Sequence, residues 1–421
     1  MMEFKFRDYQ SEIIGKAGAI LEQSNFVYLT MEVRTGKTLT ALGIAQQMSA
    51  KRVLFITKKK AIKSINEDYE LLDPSFNICV VNYESLHKID QVTIWDVIVV
   101  DEAHGLGAIP KPSGKQKRVA DLVKKQKNAK IILMSGTPSP ENFSQLYHQV
   151  SFIKGNPFER YSSFYKFAKD YVNVTQKRIG SMTVNDYSDG KKEILYDMTK
   201  FMLSFTQKEA GFKSNVKEHF LICKMQPIIG NLIEKIKKDR VIEGKEEIIL
   251  ADTPVKVLSK VHQLSGGTIK FDSGNRKVLD LSKAQFIKDQ FKGKKIGIFY
   301  KFQAELQALK DVFGDDLCTD LQTFEDTKKN IALQIISGRE GISLKDADCL
   351  VMYNVDFSAT SYWQSRDRLT TKNRAVNNVY WIFSDVGIES EIYDAVSKKR
   401  DYTLAHFKKN NLSSDNQSKL F

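Results

Sequence analysis

TMEVRTGKT, residues 30–38, is the stretch from which fold and chemistry both follow. It comes after an apolar run, Phe26-Val27-Tyr28-Leu29, that reads as a buried strand, and it opens the helix-compatible segment LTALGIAQQM. Strand, tight turn and helix N-terminus together present backbone N–H groups and the positive end of a helix dipole to phosphate. In that frame Arg34, Thr35 and Gly36 form the ATP-binding turn. Lys37 reaches the β- and γ-phosphates, and the Thr38 hydroxyl helps hold Mg²⁺. Met31 stands where the first glycine of G-x-x-x-x-G-K-[ST] belongs, so the loop is half a motif and needs a partner.

VIVVDEAH, residues 97–104, supplies it. Ile98-Val99-Val100 is a buried-strand run, and Asp101-Glu102 fall at its C-terminal edge, where open α/β sheets bind ligands. Two carboxylates after an apolar strand are often a solvated strand end. Following a Gly-Lys-Thr, they read as a metal ligand, Asp101, and a group that polarises the attacking water, Glu102. The pair of stretches specifies a nucleoside triphosphatase.

The chain has 421 residues, enough for two or three domains, with 42% hydrophobic and 27% charged residues, as in ordinary globular proteins. A formal charge of +13, spread along the chain, suits a polyanionic partner. Cys79, Cys223, Cys318 and Cys349 lack C-x-x-C spacing, so neither a zinc site nor a disulfide framework is indicated. MMEFKFRDYQ has no apolar signal core, and no apolar run approaches the ~18 residues of a membrane span. A cytoplasmic monomer is expected, without a membrane partner.

RDYQ (7–10), MEVRTGKT, DEAH and Ser135-Gly136-Thr137-Pro138 together resemble motifs of superfamily-2 helicases and translocases. Glu32 and Val33 resemble the D-E-M-G-L-G-K-T form of the chromatin-remodeller-like, Snf-type branch, and the compact size is similar to phage and prokaryotic members. The matching motifs run from residue 7 to residue 368. The resemblance implies that Gln10 reads adenine through its amide. It implies that His104, Ser135 and Thr137 couple hydrolysis to domain movement. In VLFITKKK (53–60), Thr57 and Lys58 fall at a DNA-backbone contact, and Asn82 and Tyr83 at another. KFMLSFTQKE (200–209) stands where the branch has P-F-M-L-R-R-T-K, with Ser204-Phe205 replacing its two arginines.

From 151 to 260 the sequence is aromatic-rich and reads as a mostly helical insertion. Alternation around a glycine turn predicts a β-hairpin at 171–187, either structural or a DNA-guiding pin tipped by Lys177 and Arg178. Strand–helix alternation then returns. Ser337-Gly338-Arg339-Glu340-Gly341 resembles the S-T-x-x-G-G motif of a second motor domain. Ser337 and Arg339 are there candidate DNA contacts, and Gly341 lets the backbone approach ATP. Trp363-Gln364-Ser365-Arg366-Asp367-Arg368 carries the Q-x-x-x-R of the last motif, with Gln364 coupling and Arg368 aimed at the γ-phosphate. A second arginine is expected at Thr371. Arg366 or Arg374 takes its place, or hydrolysis relies on Arg368 alone. The tail ends in QSKLF, Gln417–Phe421, which resembles a sliding-clamp peptide.

The expected fold is therefore α/β, with two RecA-like parallel-sheet motor domains, 1–150 and 261–405, a mostly helical insertion at 151–260 and a polar tail at 406–421. The expected function is an ATP- and Mg²⁺-dependent DNA translocase or helicase on duplex, forked or branched DNA, in replication, recombination or repair. If phage-encoded, it would work in the host bacterial cytoplasm. An RNA helicase, an ATP-gated binding module of a replication complex and the motor subunit of a nuclease system are the alternatives.

Overall fold

The computed structural model describes residues 4–398, apart from 91, 140–141, 180–181, 212–214, 245, 339–341, 370–373 and 375. The chain forms two compact units, residues 1–212 and 213–421.

Unit 1 is built on a six-stranded sheet whose pairings are all parallel. Its strands are β1 (Phe26–Met31), β2 (Arg52–Thr57), β3 (Asn77–Asn82), β4 (Val97–Val100), β5 (Lys130–Met134) and, beyond a hairpin, β8 (Met202–Phe205). They lie in the order β3-β2-β4-β5-β1-β8. The four central strands read as near-continuous apolar runs because both faces are covered, as parallel sheets require. Phe26, Tyr28, Leu54, Ile56, Ile98, Val100, Ile131 and Leu133 face one core. Val27, Leu29, Val53, Phe55, Val97, Val99 and Ile132 face the other, against the helices Asp8–Gln23 and Lys37–Gln47. All strands run the same way, so the loops after β1, β2, β4 and β5 leave from a single edge. The predicted hairpin forms, β6 (Thr175–Ile179) pairing antiparallel with β7 (Met182–Asp186).

Unit 2 repeats the plan. Its strands are β9 (Asn215–Cys223), two short antiparallel pairs, β10 (Val241–Glu243) with β11 (Ile248–Leu250) and β12 (Thr268–Lys270) with β13 (Arg276–Val278), then β14 (Ile296–Tyr300), β15 (Leu317–Cys318), β16 (Asn330–Gln334), β17 (Cys349–Met352) and β18 (Val376–Ser384). The all-parallel six-stranded sheet runs β15-β16-β14-β17-β18-β9. Both units are thus RecA-like in layout, a parallel sheet between helices.

The stretch 151–260, expected as one mostly helical insertion, is divided. Helices Phe164–Tyr171 and Glu193–Thr199, the hairpin and β8 belong to unit 1, whereas β9 and the helices Pro227–Asp239 and Pro254–Ser265 belong to unit 2. β8 and β9 are edge strands, each paired on one side only, so half their residues stay solvent-facing and no continuous apolar run marks them. Among the described residues no helix is long and apolar enough to cross a membrane.

Candidate active site

Gly36 makes the turn between β1 and the helix Lys37–Gln47 possible. Its φ is +81°, a left-handed conformation that disfavours any Cβ, and a Cβ there would lie 2.6 Å from Gln10 Nε2. Lys37 curls back over the loop, with Nζ donating to the Met31 and Glu32 carbonyls at 3.0 and 3.1 Å. Thr35 is buried, its hydroxyl donating to Glu32 O at 2.8 Å. Thr38, half-buried, lies in the helix's first turn. The loop is buttressed from the turn just after β8, where the Gln207 N–H donates to Glu32 Oε2 at 2.7 Å and Gln207 Nε2 to Val33 O at 2.9 Å.

The RDYQ segment wraps the same turn. Gln10 is buried, its Oε1 accepting from Arg7 N at 3.1 Å and its Nε2 donating to Gly36 O at 3.3 Å. The amide expected to read adenine is spent on the loop itself in this structure. Tyr9, which the sequence did not single out, donates to Thr35 O at 3.0 Å and stacks on Phe205 at 4.4 Å.

The acidic pair follows β4 at the same sheet edge. Asp101 Oδ2 accepts the Thr57 hydroxyl at 2.8 Å. Glu102 adopts φ +51°, a left-handed conformation that costs a non-glycine residue of order 1 kcal/mol and recurs where function demands it. His104 Nδ1 lies 3.1 Å from Glu102 Oε2 and 3.0 Å from Ser135 Oγ. Its ring is aligned toward the serine, which leaves Glu102 Oε2 buried without a well-aligned hydrogen bond. Ser135 Oγ accepts in turn from the Thr137 N–H at 3.1 Å, and Thr137 Oγ1 is buried without a partner. One continuous line of side chains therefore joins Glu102 to the loop after β5.

The two carboxyls are pushed apart. Burial, then the neighbouring charge of Glu102, raise the Asp101 carboxyl above the usual carboxylate range, against the Thr57 hydrogen bond and the Lys37 charge. Burial pushes Glu102 the same way. Contact with His104, then the charges of Lys37 and Lys58, outweigh it and hold Glu102 below the ordinary range. Lys37 thus acts on both carboxyls, which puts phosphate loop and acidic pair in one electrostatic site.

Two expected DNA contacts are corrected. Thr57 is fully buried because it shares its strand face with Val53 and Phe55, and its hydroxyl is committed to Asp101. Tyr83 is buried in the other core, its hydroxyl donating to the Asp101 carbonyl and its own carbonyl accepting from Arg118 Nε at 3.2 Å. Both build the acidic site and neither faces solvent. Lys58 and Asn82 are half-buried at the same sheet edge. The backbones of Lys177 and Arg178 pair with Val184 and Thr183 in the hairpin, while their side chains lie outside the described set.

In unit 2, Arg368 is buried, with Nε donating to Gln364 O at 2.8 Å and Nη1 to Ile342 O at 3.2 Å. Gln364 is buried as well, its Oε1 without a partner. Both candidates for the second arginine are committed within their own unit. Arg366 Nη1 lies 3.4 Å from Glu218 Oε2, with its guanidinium 4.2 Å from the Trp363 ring. Arg374 Nη1 donates to Ala347 O at 2.6 Å, and Nη2 to the Asp348 carbonyl. Arg339, Gly341, Thr371, Gln417–Phe421 and the Ser337 side chain lie outside the described residues.

The SNF2-related domain matches residues 32–264, more than half of the chain. The chain belongs to the SNF2-related family. With the motif order above, this SNF2-related protein is a superfamily-2 member of the chromatin-remodeller-like branch. It is 22% identical over 387 residues to the CHD3-type chromatin-remodeling factor PICKLE of Arabidopsis thaliana, covering 81% of this chain and 26% of that protein. It is 22% identical over 395 residues to the Caenorhabditis elegans homologue of SWI/SNF-related matrix-associated actin-dependent regulator of chromatin subfamily A-like protein 1, covering 84% and 55%. To the RNA polymerase-associated protein RapA of Vibrio cholerae it is 24% identical over 165 residues, covering 38% and 16%. The matches thus span from 16% to 55% of these relatives' own length. Among solved structures, the Sulfolobus solfataricus SWI2/SNF2 ATPase core in complex with dsDNA aligns over 98% of this chain and 94% of that one, at 16% identity and a TM-score of 0.42.

Proposed function

We propose that this SNF2-related chain is an ATP-dependent DNA translocase or helicase that acts in the cytoplasm on duplex, forked or branched DNA, in replication, recombination or repair. The observation that carries the proposal is the line Glu102–His104–Ser135–Thr137, which begins in the site that Lys37 polarises and ends on the loop after β5. A hydrolase that only turned over nucleotide would not need its water-activating carboxylate wired to a neighbouring loop. Family membership and the +13 charge support a nucleic-acid polymer as the object moved.

The chain's residues fit ATP with Mg²⁺. Thr38 opens a helix at the sheet edge, and Asp101 is a half-buried carboxyl with a hydroxyl on one oxygen. These two would hold the ion, which when bound neutralises charge on the transferring phosphoryl group. Lys37 would exchange the Met31 and Glu32 carbonyls for phosphate oxygens. Glu102, held ionised, orients and polarises the attacking water. Any change in the Glu102–His104 contact reaches Ser135 and Thr137 through one hydrogen bond each. Gln10 is proposed to read adenine after its amide leaves the loop, and Arg368 to stabilise developing charge without a second arginine, since Arg366 and Arg374 are occupied. Gln417–Phe421 is proposed to dock on a sliding clamp, tested by co-elution that is lost when those residues are removed.

Steady-state ATP hydrolysis decides the main proposal, measured without nucleic acid and with single-stranded, duplex, forked and four-way DNA and with RNA, using Glu102→Gln as blank. Stimulation by duplex or branched DNA is expected. Stimulation by RNA alone would transfer the chain to the RNA helicases. ATP binding without turnover on any polymer would make it an ATP-gated module.

A further inference from the structure

We propose that unit 1 carries a second nucleic-acid site, a basic and aromatic groove that takes an unpaired DNA strand. The groove, about 530 Å³, lies between the segment 110–124 that follows the acidic pair and the aromatic segment 147–165. That volume is within the ordinary range of ligand sites, about 300–1,000 Å³.

One wall is cationic. Lys111 stands on the loop, and Lys117 and Lys124 lie seven residues apart on the helix Gly114–Lys125, hence on one face. All three are exposed, and among the described residues none forms a salt bridge. Asp121 shares this face between the two helical lysines, so the wall keeps a net positive charge. The opposite wall is aromatic. Phe164 is buried and stacks on His148 at 5.4 Å, closing the floor. Tyr165 remains 46% exposed, while Phe164 and Tyr187 hold its ring edge-on at 6.2 and 5.9 Å.

A lysine-rich helix alone is a solvated face, and aromatic rings alone are core. Here unpaired ammonium groups face an exposed, positioned tyrosine across a cleft. Ammonium groups pair with phosphates, and an exposed ring stacks a base. Only an unpaired strand offers both, because duplex DNA hides its base faces. The groove therefore suits the strand that a translocating or unwinding motor leaves unpaired. It rests on DNA being that motor's polymer, yet it involves none of the residues assigned to ATP.

The test uses the full chain carrying Glu102→Gln, with labelled oligothymidylate and no nucleotide. Lys117→Glu/Lys124→Glu should weaken binding about ten-fold and flatten the slope of log affinity against log salt by ~0.7 for each phosphate no longer neutralised. Tyr165→Ala should weaken binding by ~5-fold or more with the slope unchanged. A photoreactive halogenated oligonucleotide should cross-link within 147–165. All three positions are exposed, so melting curves should match the parent's. Parental affinity and salt slope in both variants, or cross-links confined to other segments, would overturn the site. So would a groove that binds an acidic peptide and ignores oligothymidylate. Failure of the motor proposal looks different, namely no polymer-stimulated hydrolysis in the unsubstituted chain while strand binding and its loss in the variants persist.

Discussion

Each unit draws charge in from the surface, unit 2 completely and unit 1 in part, but in opposite ways. In unit 2 Lys283 and Glu389 are wholly inaccessible, 2.7 Å apart, with the second Glu389 oxygen accepting the Ser384 hydroxyl at 2.9 Å. Even the backbone makes room, because a Cβ on Gly387 would lie 2.0 Å from Glu389 Oε2. Both charges of the pair are answered inside the fold. In unit 1, Asp101 and Glu102 stand side by side with like charge, one carboxyl driven up and the other held down, and a buried oxygen is left poorly bonded. A matched buried pair holds structure. A mismatched cluster at a sheet edge is arranged for something that is not protein.

The largest effect should come from breaking the matched pair. Glu389→Gln strands the Lys283 ammonium in the core, which typically costs ~3–5 kcal/mol and should lower the melting temperature of unit 2 by roughly 10 °C. Lys283→Met combined with Glu389→Gln should recover much of that loss, because no uncompensated charge remains. Equal destabilisation by single and double variants, read in thermal melts, would show that the pair matters for shape and not charge.

The same substitution in the mismatched cluster should leave the fold intact and remove the chemistry. Glu102→Gln is expected to cut polymer-stimulated ATP hydrolysis by ~100-fold or more, with the melting temperature unchanged or slightly lowered, because His104, Lys37 and Lys58 favour the ionised carboxyl in the folded protein. Retained turnover would remove Glu102 from its assigned role. His104→Ala should act more gently. It deletes the group between Glu102 and Ser135, so hydrolysis should fall by ~10-fold. DNA movement per ATP, followed by triplex displacement, should fall further than hydrolysis does. Proportional losses would mean that His104 serves the water alone.

Much of the acidic site was legible from local sequence, because strand, glycine turn and helix start are contiguous in TMEVRTGKT, and strand and carboxylates in VIVVDEAH. What misled was side-chain direction. Thr57 ends an apolar strand beside three lysines, and that charge run reads as a solvated loop start and not as the end of the face that Val53 and Phe55 share. Strand parity could have placed it. Tyr83 shows the same limit, since its partner, the Asp101 carbonyl, is 18 residues away. β8 and β9 escaped because edge strands are half wet. NVKEHFLIC mixes charged and apolar residues, yet it pairs with β18 over nine residues. Nor does sequence show that Tyr9, remote from the loop, braces it through Thr35.

The smallest effect tests the comparison most directly. Asp101→Asn keeps an acceptor for the Thr57 hydroxyl and removes only the charge. Because the folded protein holds the Asp101 carboxyl above the ordinary carboxylate range, ionising it costs stability at neutral pH. That cost is full above the raised value, shrinks as pH falls through it, and is gone below the unfolded value of about 3.9. Without nucleotide, Asp101→Asn should therefore melt above the parent at neutral pH, by roughly 2–4 °C if about 1 kcal/mol is recovered. The gap should narrow as pH is lowered, because the parent carboxyl then sheds its charge. An asparagine variant that melts below the parent at neutral pH would mean that Asp101 is as well compensated as Glu389, and the contrast between the two units would collapse. A variant that is more stable and inactive would show that unit 1 keeps an unfavourable charge for the sake of its chemistry.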